Sequence, residues 1–426
     1  EVSLEKTIKN MAQDFVSSNN VNYLAPIGQF GSRLMGGVDA AQSRYIFTKL
    51  SNITRYIFKK EDDCLVKHLD EDGYAIEPEY YYPIIPTILI NGSTGIGTGF
   101  STDIPMFNPL DISKYILDLI DGNEPKIFKP WFRGFTGKIE SISPGSYITR
   151  GKVEFINDST LQITELPVGT WTEKYIEFLN KISVERGKET AKNFVRSFRD
   201  NSTETQVDIT LKINPINLNK WRNKFGKDCV SELENRLKLT SAVGTSNMHM
   251  FNEECKMKKF YNIESIILHW FQVRKEIYVK RRDYMLKQLK QELDIIKFKV
   301  KFIGEIIEDT IKIKNVKKNV LIQSLVEKQY PKISLKDNVE KSYDYLLGMD
   351  LYKLTTEEIE ELKKKSEIKE VEYNTLLSKS ANELWKEDIS EFTEVYKKDL
   401  QVYEKEHFTR KTDVKIKKRR TTKKKI

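Results

Sequence analysis

Residues 4 to 16 place Leu4, Ile8, Met11 and Phe15 at spacings of four, three and four, which predicts a helix with one apolar face. A Gly-rich connector, Pro26 to Gly37, follows it. RYIFTKL and the apolar run Ile84 to Ile90 read as strand-like segments on either side of a charged loop. Between Pro109 and Pro167, frequent Pro and Gly break up short alternating runs such as KVEFI and LQITEL, the pattern of a mixed α/β region. The pattern changes after Tyr261. No Gly or Pro occurs from Asn262 to Ile303, a stretch that as one helix spans about 60 Å. Ile263, Ile266, Trp270, Val273 and Ile277 begin a seam that slips phase near Tyr284 and resumes through Leu289, Leu293, Ile296, Val300, Ile303 and Ile307. Alternating threes and fours of this kind predict a coiled coil. Beyond Gly348, Thr355 with Glu358 and Ser380 with Glu383 form two capping boxes, so the returning stretch reads as two helices. The layout is one long helix out, a small cap, and a return.

Composition narrows the class. With 426 residues, 39% hydrophobic and 31% charged, the chain is long enough for two or three folded domains and is neither collagen-like nor wholly disordered. Ten basic residues and one acid, Asp413, lie between Arg410 and Ile426, which leaves 61 basic and 61 acidic residues for positions 1 to 409. A polyanion-binding surface on the body must therefore be a local patch. Cys64, Cys229 and Cys255 are far apart and form no CxxC pair, which argues against a disulfide framework or a Cys-based zinc site. His68, His249, His269 and His407 are equally scattered, and no run of 18 apolar residues spans a membrane. The chain opens at Glu1 without an initiator Met or signal-peptide pattern, as expected if an N-terminal part is missing.

The local patch lies between Arg33 and Lys60, where Arg33, Arg44, Lys49, Arg55, Lys59 and Lys60 face one acid, Asp39. A tyrosine hydroxyl, with a pKa of about 10, is a poor nucleophile unless cations stabilise the developing charge. Arg44 beside Tyr45 supplies such a cation, although in a chain with 20 tyrosines an Arg-Tyr pair reads by default as a surface contact. Asp70 and Asp72 read as a solvated loop rather than a metal site. In NGSTGIGTGF, Asn91 to Phe100, no Lys-Ser/Thr follows the glycines, so a nucleotide site does not fit. Ile96 between Gly95 and Gly97 is either an exposed wedge or a residue buried in a tight turn. The tail KIKKRRTTKKKI reads as a disordered basic segment: an import signal, a DNA arm or a solubilising run.

The run PIGQFGSRLMGGVDAAQSRYIF resembles the active-site region of eukaryotic-type DNA topoisomerase II. YYPIIPTILINGSTGIGTGFSTDIP, PWFRGFTGKI, LQITELPVGTWTEKY, YDYLLGMDLYKLT and SANELWKED resemble that family's further landmarks in the same order, from Glu1 to about Tyr403. The resemblance implies an α/β multidomain chain. Its parts are a truncated winged-helix domain over 1–85, a mixed α/β tower-like domain over 86–256, a long antiparallel coiled coil with a small helical cap over 257–405, and a basic tail over 406–426. It implies that Tyr45 is the nucleophile forming a 5′ phosphotyrosyl bond and Arg44 its electrostatic partner. Ile96, Gln29, Arg33 and Lys49 are then DNA contacts, Ile96 as the intercalating residue. Gln42 and Ser43 replace the common Ser-Pro before the Arg-Tyr pair. The implied partners are double-stranded DNA and a second copy of the chain meeting at the cap, between about Asn315 and Tyr352. A small cap at the end of a helix pair of about 60 Å is expected to have little core of its own and to bury the apolar segments Val320–Val326 and Tyr343–Met349 against that second copy. Mg2+ and ATP are expected on domains absent from this chain, so the fragment alone is expected to be inactive; the expected location is the nucleus. The rival reading is a noncatalytic coiled-coil chromatin protein that bends DNA.

Overall fold

The computed structural model describes residues 1–184, 193–225, 229–313, 316–334, 341–350 and 355–408. They form two compact units, one from Glu1–Lys60, Val66–Arg274 and the chain from Lys386 on, the other from Glu61–Leu65 and Lys275–Trp385.

In the first unit, the opening helix is Val2–Ala12, shorter than its apolar spacing predicts. Gln13 adopts an extended ψ of 136° and its side-chain amide donates to the Phe30 carbonyl at 3.0 Å, which turns the chain toward the Gly-rich connector. Phe15 lies past the helix yet is buried. The core of this unit is built on antiparallel sheets. Strands Lys152–Asn157, Thr160–Glu165, Ile209–Ile213 and Val195–Asp200 adjoin in that order, and Thr240–Gly244, Ser146–Arg150 and Lys138–Ser143 form a second sheet. Leu161, Ile163, Ile209 and Leu211 alternate inward against Tyr175 and Leu179 of the helix Thr172–Ile182, as period-2 strands against a 3.6-period helix require.

Ile84 to Ile90 is not a strand. Ile84 and Ile85 are buried in irregular chain, and Thr87–Asn91 is a helix. A continuous apolar run is compatible with either element; Pro86, which cannot donate to a sheet ladder, sits at the helix N-cap and decides between them. RYIFTKL likewise makes only isolated bridges, Ile27 with Phe47 and Leu24 with Leu50. The Gly-rich segment after Asn91 is a hairpin, Ser93–Gly97 paired antiparallel with Phe100–Ile104.

The long helix runs from Ile263 to Ile307. Within the second unit its partners lie on Thr356–Ser378 and the start of Ala381–Phe408, in reverse order. Tyr278 stacks on Trp385 with centroids 5.0 Å apart, Arg282 Nε donates to the Lys379 carbonyl at 2.7 Å, and Glu292 pairs with Lys369 at 3.0 Å. Both predicted caps form: the Glu358 N–H donates to Thr355 Oγ1, and Ser380 and Glu383 exchange bonds of 2.6 and 3.2 Å between backbone N–H and side chain.

The cap carries a core of its own, contrary to its expected dependence on a second copy. Phe302, Ile311, Leu325, Tyr330, Tyr345 and Leu346 bury one another, so Leu325 and Leu346 are not surface residues. On the helix Lys318–Glu327 the exposed apolar residues are Val320 and Val326, 56% and 55% exposed. Asn315, Tyr352 and the basic tail fall outside the described residues. No helix among the described residues is long and apolar enough to cross a membrane.

Candidate active site

Tyr45 ends a single 3-10 turn, Ser43–Tyr45, in which the Tyr45 N–H donates to the Gln42 carbonyl at 2.9 Å. The turn projects from a ribbon in which Ile27 and Phe47 exchange backbone bonds of 3.2 and 3.0 Å and Ala25 N–H donates to the Lys49 carbonyl at 2.9 Å. Two glycines make the ribbon possible. A Cβ on Gly28, with φ of 115°, would lie 2.9 Å from Ile46 Cγ2. One on Gly31, with φ of 100°, would lie 2.5 Å from the Gly37 Cα, where two backbone segments cross.

Tyr45 is 67% exposed, and the Arg44 guanidinium lies 4.9 Å from its ring centroid, within cation–π range. Ser43 Oγ donates to Glu5 Oε2 on the opening helix at 2.5 Å. Lys49, Arg55 and Lys60 are exposed on the following segment, and Gln29 is exposed on the facing one, with its amide 3.4 Å from Glu204 Oε1.

The other two cations of the predicted patch are engaged inside the fold. Arg33 is 4% exposed and its guanidinium pairs with Glu165, itself 1% exposed, so Arg33 presents no charge to a surface ligand. Glu165 also accepts from Leu166 N at 3.0 Å, from Thr136 N at 3.0 Å and from Thr136 Oγ1 at 2.9 Å. Lys59 pairs with Asp388 at 3.0 Å and Glu391 at 2.7 Å. Burial alone would lower its affinity for a proton, but the two carboxylates outweigh burial and hold the ammonium above its ordinary range.

Ile96 is 94% exposed on the hairpin, which excludes the buried-turn alternative. A Cβ on Gly95 would meet nothing within 4 Å and one on Gly97 only the Phe100 carbonyl at 3.9 Å, so packing within the chain requires neither glycine. Their effect is to keep the blade around Ile96 thin. The hairpin is braced from the side by strand Met248–Phe251: Asp103 N–H donates to the Asn247 carbonyl at 2.7 Å, and His249 N–H to Thr102 Oγ1 at 3.3 Å. Two acceptors face His249 Nδ1, the Ser101 carbonyl at 3.0 Å and Asn247 Oδ1 at 3.1 Å, so that nitrogen carries the proton. Asn91, just before the hairpin, accepts from the N–H groups of Asn20 and Val21 at 3.0 Å each and donates to the Val21 carbonyl at 2.8 Å, which ties the hairpin to the Tyr45 side of the unit. Sequence reading missed Asn91, Glu165 and Glu5 because each partner lies far away in the chain.

Among the described residues no group of three or more His, Cys, Asp or Glu converges on a possible metal position. Asp70 and Asp72 belong to an exposed hairpin, in which Asp72 takes a φ of 54° at the turn and Asp70 Oδ1 accepts from Gly73 N at 3.1 Å. These donors do not fit a Mg2+ site.

Residues 1–390 match the family model of the DNA gyrase/topoisomerase IV A-subunit. The chain is 38% identical to the DNA topoisomerase 2 of Acanthamoeba polyphaga mimivirus, over 92% of its own length and 35% of the relative's. It is 37% identical to that of Saccharomyces cerevisiae, over 94% and 30%. A crystal structure of the Plasmodium falciparum topoisomerase II DNA-binding, cleavage and re-ligation domain superimposes with a TM-score of 0.83 at 38% identity, covering 93% of this chain and 56% of that one. The chain thus spans about a third of the curated relatives it matches. Match length, identity and fold agree, and the chain belongs to the DNA gyrase/topoisomerase IV A-subunit family.

Proposed function

We propose that this chain is the DNA breakage-reunion part of an ATP-dependent type II topoisomerase. The observation that carries this reading is the exposed Tyr45 phenol on a glycine-defined ribbon with the Arg44 guanidinium 4.9 Å from its ring. The Tyr45 oxygen attacks the phosphorus of a DNA phosphodiester; the new O–P bond forms as the bond from phosphorus to the 3′ oxygen breaks. The phenolic proton is lost to solvent and the departing 3′ oxygen takes one up. Arg44 stabilises the charge that develops on the phosphoryl oxygens. The ester bond is exchanged rather than hydrolysed, so the 3′ hydroxyl can reverse the step. In this scheme residues 1–85 are a winged-helix part with the nucleophile, 86–256 a tower-like part, and 257–405 a coiled coil ending in the cap. Mg2+ and ATP belong to other parts of the whole enzyme, which acts on double-stranded DNA in the nucleus.

The test is a denaturing gel of the full-length enzyme with end-labelled duplex. A 5′ phosphotyrosyl adduct retards the 3′-labelled strand and leaves the 5′-labelled fragment free. Absence of any adduct would favour a DNA-bending protein without chemistry.

Ile96→Ala is expected to reduce DNA bending, read as a smaller change in end-to-end energy transfer on a short duplex. The isoleucine offsets part of an unstacking cost of a few kcal/mol per step. Unchanged bending would remove Ile96 from the DNA interface.

A homodimer closed at the cap belongs to the same proposal, with Val320 and Val326 supplying the exposed apolar positions. Joint replacement of both by Glu is expected to give folded monomers in sedimentation. A Glu at Leu325 should unfold the cap instead, because that side chain is fully buried. A dimer that survives the double Val replacement would place the contact elsewhere.

A further inference from the structure

The proposed chemistry needs Tyr45 held in one orientation, yet the turn that carries it is a single 3-10 turn with little burial. Among the described residues its ring and the neighbouring Arg44 are both exposed, so packing does not fix them. The backbone bonds within the turn are the Tyr45 N–H to Gln42 bond and a longer one, 3.4 Å, from Ile46 N–H to the Ser43 carbonyl. A turn this short is weakly determined by its own hydrogen bonds. One side-chain bond reaches it from outside: Ser43 Oγ donates to Glu5 Oε2, across 38 residues, on the first turn of the helix Val2–Ala12.

We infer that Glu5 is a positioning residue for the Arg44–Tyr45 pair, acting through the Ser43 hydroxyl. This rests on Tyr45 being the nucleophile. Ser43 is the residue immediately before Arg44 and the first of the turn, so fixing it limits rotation of the two residues that follow. Both Glu5 and Ser43 are half-buried, which shields the bond from full competition with water. A hydrogen bond to an ionised carboxylate is also stronger than one between neutral groups. A carboxylate beside a DNA-binding surface is otherwise unfavourable, since it repels phosphate; its pairing with Ser43 gives it a role other than binding.

The local backbone offers an independent way to supply the same constraint. Gln42 has φ of −62° and ψ of 142°, the extended conformation preferred before proline. Ser43 occupies the first position of a 3-10 turn, where φ near −60° suits proline, and its N–H donates to no backbone carbonyl among the described residues. Ser43→Pro therefore removes the hydroxyl while fixing the turn covalently.

The experiment is a double-mutant cycle in the full-length enzyme, reading the single-turnover rate of covalent complex formation at saturating DNA, the DNA dissociation constant, and amide hydrogen exchange at Tyr45 and Ile46. Ser43→Ala and Glu5→Ala should each lower the rate about tenfold, as expected for loss of orientation at a reacting group. The dissociation constant should change by less than about twofold, since a positioning contact acts on the reaction rather than on binding. The double variant should be no slower than either single one, because both remove the same bond. Exchange at Tyr45 and Ile46 should quicken in all three. Ser43→Pro combined with Glu5→Ala should recover most of the rate. Additive losses, a change confined to DNA affinity, or failure of the proline to restore the rate would each overturn the inference. If Glu5→Ala instead raises rate and affinity together, Glu5 is a repulsive charge and not a positioning residue. Failure of the underlying reading is seen separately, as an unsubstituted enzyme that forms no adduct. In that event unchanged exchange in the alanine variants overturns the positioning claim by itself.

Discussion

Tyr45→Phe is expected to reduce covalent DNA attachment by the full-length enzyme at least a thousandfold, roughly the effect of removing a nucleophile altogether. The substitution deletes one exposed oxygen and keeps the ring, so the stacking of Arg44 over it is retained. Thermal stability and DNA affinity should stay within about 0.5 kcal/mol of the parent, as for other surface changes. Residual adduct in the Phe variant would assign the chemistry to another of the 20 tyrosines. Arg44→Lys is the companion measurement. It preserves the charge but loses the planar fork, and should lower adduct formation about a hundredfold with little change in affinity. An equal loss of both would make Arg44 a DNA anchor.

Glu165→Ala should be the most destabilising single change among the site residues. Its carboxylate answers the Arg33 guanidinium and three neutral donors at 1% exposure, and its loss leaves a buried cation without its counter-charge. Breaking a buried pair from one side costs about 3–5 kcal/mol. Arg33→Met should cost less, because Glu165 keeps its bonds to Thr136 and Leu166 while the cation's desolvation is removed. Urea denaturation followed by a probe in the first unit measures both. The reverse order, or a loss below about 1 kcal/mol for Glu165→Ala, would mean that water reaches the pair.

Much of this was legible in the chain because its signals are local. The long helix, the strands Lys152–Asn157 and Thr160–Glu165 and the helix N-caps at Thr355 and Ser380 are set by residues within one or two turns of each other. The proposed roles of Tyr45 and Arg44 come from the resemblance, since their adjacency alone reads as a surface contact. What could not be read depends on partners distant in sequence. Six cations between Arg33 and Lys60 look alike, yet Arg33 meets Glu165 and Lys59 meets Asp388, so two of them leave the surface. The core of the cap is hidden from the sequence for the same reason: Phe302, Ile311, Leu325 and Leu346 lie in separate short segments whose apolar positions combine only after the chain turns back. At Ile84–Ile90 the apolar pattern itself was uninformative and a single proline settled the element.

The Ile96 hairpin has a thermodynamic consequence. Its ladder from Ser93–Ile104 to Gly97–Phe100 is complete and braced before any ligand arrives, while the isoleucine stays 94% in water. Docking it into DNA would therefore require little ordering of the chain, and the burial of its apolar surface would be postponed to the bent complex. That burial contributes a negative heat-capacity change. Its driving force weakens on cooling, unlike that of the contacts exposed lysines and arginines would make to phosphate. Binding and bending should then separate with temperature: cold solutions would favour a bound but straighter duplex, warm ones the bent complex. Ile96→Ala should flatten that dependence.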